Sequence, residues 1–509
     1  MAAADRVSVS GVTYSHAEAG YFEKRSLKRT AGFWGIWGIG IAAVISGDFS
    51  GWNGGLAVAG WGGLVIAFGL VIVMFLLMIN SIAEMAAAMP HTGGAYSFAR
   101  AAMGPWGGFV TGFAETIEYV MTTAVVTYFS AQYADQILDT LVGVSLQEQS
   151  MMWIWWLVLY AVFVGLNSIG ANTSFRFAII VAIISLGILL VFAVLSLTSG
   201  AFDVANLFDQ PAQEGGSAFL PFGFWAVIAA MPFAMWFFLG IEELPLVAEE
   251  AHDPEKDIPR ASIWGFVTLI VTGGTVLLLN PGVLGAEATA GSLEPLLEGF
   301  RSVIPAELAA VLSAFALIGL LASLQGIMFA YGRNVYSLSR AGYYPKFLSL
   351  TGARQTPYVA LIAGAVVGFL SLFLAEYGGA TAGGIVLNIA VWGAVIAYML
   401  QMVSYVILRR KFPNARRPFR SVFGVPGAII AGVLAFVIWM GENLNPAYTP
   451  AIVAAIVVYV IALVLFALFG RRNLVLSPEE EYAMSGGLHR DPAAEGSAGA
   501  VEDEILGRR

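Results

Sequence analysis

Windows of about twenty apolar residues, the length that crosses a bilayer as a helix, recur along the chain. They lie at roughly 31–58, 62–88, 106–134, 152–170, 174–198, 219–248, 261–284, 308–338, 357–376, 382–408, 425–441 and 449–470. The pattern predicts an all-α integral membrane protein with twelve transmembrane helices. Two windows are interrupted. In the first, Ile45-Ser46-Gly47-Asp48-Phe49-Ser50-Gly51-Trp52 places two glycines, two serines and a carboxylate between apolar arms. Glycine weakens a helix and polar groups are costly in hydrocarbon, so backbone interrupted here lines a cavity rather than lipid. A charge at that depth marks a functional site, and the stretch reads as a broken helix that binds a small cation.

The sixth window repeats the feature at Phe238-Leu239-Gly240-Ile241-Glu242-Glu243-Leu244-Pro245. Two interrupted helices, five spans apart and each opening a half, are the mark of an inverted-repeat transporter with its site near the midplane. The expected organisation is a cytoplasmic N-terminal tail (1–26), a first five-helix repeat (27–200), a second (218–411), two appended helices (425–472) and a disordered cytoplasmic C-terminal tail (473–509).

Charge orients this plan. With the N-terminus cytoplasmic and every window spanning, all Lys and Arg except Arg301 fall in tails, on cytoplasmic loops or at helix ends near that face. The opposite loops hold Asp203, Asp209, Glu214, Glu287, Glu294 and Glu298 instead. This asymmetry predicts both termini inside an inner (plasma) membrane. Composition agrees with the lipid bilayer as surroundings: 58% of the 509 residues are hydrophobic and 12% charged. The absence of cysteine excludes disulfides and thiolate chemistry. The four histidines lie in tails or loops, and no nucleotide loop or metal-spaced His/Glu set is present. The chain is therefore not expected to be an enzyme, to carry a cofactor or metal, to use ATP or to bind nucleic acid. No short apolar run with a cleavage site opens it, so no cleaved signal peptide is expected.

Four stretches in this order resemble the amino acid–polyamine–organocation (APC) transporter superfamily over nearly the whole membrane portion. They are the first break; residues 84–96 with Pro90, Gly93, Gly94 and Tyr96; Phe238 to Glu242 followed by Glu249-Glu250, Asp253-Pro254 and Asp257-Ile258-Pro259-Arg260; and Arg333-Asn334-Val335-Tyr336-Ser337-Leu338-Ser339-Arg340-Ala341-Gly342. The resemblance implies a LeuT-like 5+5 inverted repeat with helices 1 and 6 broken, working by alternating access. Within the superfamily the chain is most similar to ethanolamine permeases, through Ser46-Gly47-Asp48-Phe49, Gly51-Trp52-Asn53, Gly104-Pro105-Trp106-Gly107-Gly108-Phe109, Glu115 with Glu118-Tyr119, and Trp236 to Glu242.

The same resemblance implies where substrate sits. Amino acid carriers of this superfamily hold the substrate carboxylate on free N–H groups at the first break. Here Asp48 occupies that break and would repel a second anion, which tilts the substrate toward a small cationic amine such as ethanolamine. The alternative is an amino acid or polyamine permease or exchanger of the same fold, with Asp48 turned away. Ser46, Gly47, Asp48, Phe49, Phe238, Gly240 and Glu242 are the candidate binding residues, and Trp236 a candidate aromatic gate. Asp48 has a second reading as the N-cap of the following half-helix. Glu115 and Glu118, three apart on one helical face, are candidates for proton or cation coupling, with buried structural hydrogen bonding as the equal alternative. Glu84 reads as a helix-packing acid, and Glu249 and Glu250 as gate partners of Arg333 or Arg340. The superfamily's coupling lysine in span five falls on Ser185 here, so that device is absent and symport would need other carboxylates.

Overall fold

The computed structural model describes residues 6–9, 11–15, 21, 23–377, 382–444 and 446–475. After strands β1 (Arg6–Val9) and β2 (Val12–Ser15) the chain is helical. The helices are α1 (Phe33–Val44), α2 (Gly54–Ala88), α3 (Gly94–Val142), α4 (Trp153–Ile169), α5 (Ala171–Thr198), α6 (Trp225–Met235) and α7 (Pro254–Leu284). They continue as α8 (Ala286–Gly291), α9 (Pro295–Val303), α10 (Ala306–Arg340), α11 (Tyr358–Tyr377), α12 (Ala382–Lys411), α13 (Gly424–Leu444) and α14 (Thr449–Leu468), before a short β3 (Leu474–Val475). Among the described residues, seven helices are long and apolar enough to cross a membrane, and four apolar ones are shorter.

The interruptions read from the sequence are real breaks. α1 stops at Val44 and passes into a 3-10 turn over Ile45–Asp48. α6 stops at Met235, and Gly240 turns at φ +108°, a left-handed conformation open to glycine at no steric cost, before a 3-10 segment at Ile241–Val247. The boundary between the first and second windows falls at Gly60, whose non-helical φ of +68° divides α2 into a short arm after the break and a long helix. The third window, expected from near 106, follows Gly104, whose non-helical φ of +80° separates it from a shorter helix that begins at Gly94.

The core lies between α1, α2, α3, α6, α7, α10 and α12. Phe68 and Phe75 of α2, Phe237 and Phe238 after α6, and Phe266 of α7 form one aromatic stack, with Phe68 and Phe238 rings 5.3 Å apart. Such packing adds to burial through offset and edge contacts.

The N-terminal tail carries a hairpin, and residues 474–475, which the sequence pattern places in the disordered C-terminal tail, are structured against it. β1 pairs with β2, and β2 pairs in parallel with β3, joining Tyr14 to Leu474 and Ser15 to Val475. Val12 and Tyr14 bury against Tyr96, Phe109, Tyr343 and Phe466, and the Arg100 guanidinium donates to the Tyr14 hydroxyl at 2.6 Å. The rest of the C-terminal tail, 476–509, lies outside the described residues.

Candidate transport site

The two breaks touch. Gly47 faces the Trp236 carbonyl, and a β-carbon at Gly51 would stand 2.8 Å from the Trp236 indole nitrogen. The indole therefore lies over the first break, where the sequence places a gate. Around it, the Ser46 N–H donates to the Ser323 hydroxyl of α10 at 2.9 Å. The Tyr133 hydroxyl donates to the Phe49 carbonyl at 2.9 Å, while the Phe49 ring packs on Gly319. The Phe238 ring points into the α2–α7 aromatic stack, so its contribution near the break is packing and backbone.

Asp48 is 1% exposed, and neither carboxylate oxygen has a hydrogen-bond donor. The Thr272 hydroxyl of α7 faces it but also reaches the Leu269 carbonyl at 3.3 Å. The cap reading fails: Asn53, not Asp48, precedes α2, and no side chain caps that end. A buried carboxylate with no partner is costly unless something supplies donors and positive charge.

Glu242, Glu118 and Glu115 come together on the other side of the break, between α3, α10 and α12. Glu242 Oε2 accepts the Gly240 N–H at 3.0 Å. Glu118 accepts the Tyr398 hydroxyl at 3.1 Å, and Glu115 accepts the Asn334 amide at 3.1 Å and the Tyr119 hydroxyl at 3.3 Å. Glu118 and Glu242 are neighbours, and one oxygen of each has no hydrogen-bond partner. Two carboxylates are acceptors only, so a direct bond between them would need a proton on one. Tyr398 and Asn334 complete this cluster without having been singled out as site residues; Asn334 stands within a quoted motif, whereas Tyr398 has no signal in the sequence. Ser185 donates to its own helix at the Val181 carbonyl, 2.7 Å away.

Both approaches to the breaks are shut. At the face bearing the chain ends, Arg333 holds Glu250 through two bonds of 2.8 and 3.0 Å, with both side chains fully buried. Arg340 holds Glu249 at 2.5 and 3.0 Å. Both pairings are among those the sequence suggests. At the opposite face, α8 and α9 fold over the first break. The Ser50 hydroxyl donates to the Leu293 carbonyl at 2.9 Å, and the Asn53 amide to the Thr289 and Ser292 carbonyls at 2.8 Å. Burial, reinforced by the Glu298 carboxylate, pushes Glu294 in this cover up to about 7, against the opposing pull of Arg301. Glu84 is structural, bound by Arg409 at 2.7 Å, Arg417 at 3.0 Å and the Tyr405 hydroxyl at 2.8 Å.

Residues 35–475 match the family profile described as amino acid permease. The branched-chain amino acid permease BcaP of Bacillus subtilis (strain 168) is 26% identical over 466 residues, covering 89% of this chain and 96% of that one. The gamma-aminobutyric acid permease of Escherichia coli (strain K12) is 27% identical over 349 residues, covering 67% and 72%. A crystal structure of a manganese transporter from Eremococcus coleocola superposes with a TM-score of 0.53 at 14% identity, covering 88% of this chain and 98% of that one. At that identity the likeness is one of fold.

Proposed function

Because the chain belongs to the amino acid permease family, we propose that it is a secondary active transporter importing a small cationic amine, ethanolamine foremost, by alternating access. The observation that carries this is Asp48: a buried carboxylate at the first break, with no donor on either oxygen. An ammonium group supplies three donors and the missing charge, whereas a substrate carboxylate beside Asp48 adds repulsion. The Trp236 indole over Gly51 offers a face for the same cation.

The organisation proposed is twelve spans: the seven long apolar helices, the four shorter ones and the bent α3. The first ten form the two inverted five-helix repeats, and α13 and α14 are appended. Both chain ends lie on the cytoplasmic side of the plasma membrane, which makes the Glu250–Arg333 pair the inner gate and the α8–α9 cover the outer one. The adjacent Glu118 and Glu242, each with an unpartnered oxygen, support protons as the coupling ion.

A second reading has its own support. The relatives named above are amino acid permeases by name, and an amino acid would be held by its ammonium at Asp48 with its carboxylate elsewhere. Uptake of labelled ethanolamine into proteoliposomes, challenged with choline, putrescine, serine, alanine and valine, separates the two. Saturable uptake displaced by amines alone supports the first; uptake of amino acids in place of ethanolamine overturns it.

A further inference from the structure

Arg333 uses only part of its guanidinium on Glu250. Nε and Nη2 donate to that carboxylate at 3.0 and 2.8 Å, while Nη1 has no acceptor, although the side chain has no exposure at all. A second carboxylate lies within range of the same charge. Glu243, on the 3-10 segment Ile241–Val247 after the second break, is 2% exposed, and its Oε2 has no donor. Two of the charges acting on it repel, those of Glu242 and Glu115; Arg333 attracts. An unused donor and an unused acceptor of opposite charge therefore share one buried region.

Opening this face takes Glu250 away from Arg333, and a buried ion pair broken from one side is strongly destabilised because it leaves a bare charge behind. Pro245 stands between Glu243 and Glu250 in the chain. It has no N–H to tie that point of the segment to the turn before it, so the two carboxylates need not move as one body. We infer that Glu243 is a gating residue, which takes over the Arg333 guanidinium as Glu250 leaves. The face then opens by exchange of partners, with Arg333 kept paired throughout. The inference rests on the alternating-access reading above, in which this face opens.

The test uses Thr92→Cys, in a chain with no cysteine of its own. Thr92 lies buried under the gate, in mutual backbone-to-side-chain contact with Glu249 at 3.4 Å. The rate at which a small thiol reagent labels this cysteine in the purified full chain reports opening. Glu243→Gln should slow labelling by roughly tenfold, since the opened gate then leaves Arg333 bare. It should not lower the melting temperature, since the closed form loses only an unused acceptor. If Glu243 instead helped to hold the gate shut, the same variant would label faster and melt earlier; that result, or an unchanged rate, overturns the exchange. A second readout needs no labelling. Each carboxylate backs up the other, so Glu243→Gln with Glu250→Gln should lower the melting temperature by more than the two single changes together, and additive losses overturn the exchange. No labelling of the cysteine at position 92 in any variant, with or without saturating ethanolamine or valine, would refute alternating access at this face and take the inference with it. Labelling that ignores Glu243→Gln removes the exchange alone.

Discussion

The carbonyl oxygen of Trp236 lies so close to Gly47 that a β-carbon added there would stand 2.2 Å from it. The two broken helices meet backbone to backbone, and their closure depends on the missing side chain. Gly47→Ala should therefore part them. Overpacking of a filled site costs about 1–3 kcal/mol, so the expected result is loss of uptake by at least roughly tenfold with a modest drop in thermal stability. Unimpaired uptake by Gly47→Ala would show that the breaks separate freely during transport.

Asp48→Asn removes the charge and keeps the shape. A hydrogen bond to a charged group contributes about 1.5–3 kcal/mol, which corresponds to a rise in KM for ethanolamine of roughly ten- to a hundredfold. The protein should elute as a single species with unchanged melting, since neither Asp48 oxygen holds the fold together. Near-normal uptake by that variant sinks the ligand role.

Glu118→Gln puts a permanent donor where Glu118 and Glu242 now meet. Uptake by this variant should no longer respond to an inward proton gradient, while exchange of internal for external substrate persists. A response equal to that of the unaltered protein rules out this pair as the coupling site.

Arg333→Met leaves Glu250 charged and fully buried. Breaking a buried ion pair from one side costs about 3–5 kcal/mol, and the Arg333 guanidinium is also lost from the Phe329 ring, 3.3 Å away. Melting in detergent should fall far more than for Arg340→Met, whose partner Glu249 is 24% exposed. Similar losses from the two variants would mean that burial does not set the strength of this gate.

Glu294 gives a pH dependence with a definite sign. Its carboxyl is raised to about 7 in the closed cover and should return to the ordinary range near 4.3 when the cover lifts into water. Closure then takes up a proton: the closed form gains as pH falls from about 7 toward the ordinary value, and above 7 it bears the whole penalty of a charged Glu294. A cysteine introduced at Ser50, in a chain that has none of its own, should become more reactive to a membrane-impermeant thiol reagent as pH rises from the ordinary carboxylate range to about 7 and level off above it, after correction for the reagent's own pH dependence. Glu294→Gln should flatten that profile; an unchanged profile would assign the dependence elsewhere.

The breaks were legible in the sequence because Gly47, Asp48, Gly240 and Glu242 each violate what a lipid-facing helix tolerates. Partnerships were not. Tyr398 is one aromatic among many in an apolar run, and only the packing of α12 on α3 brings its hydroxyl to Glu118. Phe238 looks like its neighbours in the chain, yet its ring belongs to the α2–α7 stack. The boundary between the first two windows, by contrast, was legible, and the structure interrupts the helix there at Gly60. The terminal hairpin escaped notice because its alternation is four residues long and its remaining strand lies at the far end of the chain.

That distance has a consequence for synthesis. Ser15 bonds to Leu474 across 459 positions. At about 5–20 residues per second, a ribosome finishes the second partner roughly 20 to 90 s after the first. The hairpin waits unmatched while the described helices are made, and the join forms only once Leu474 and Val475 have left the ribosome. A chain stopped before Leu474 lacks it, so this small sheet reports that synthesis has passed α14.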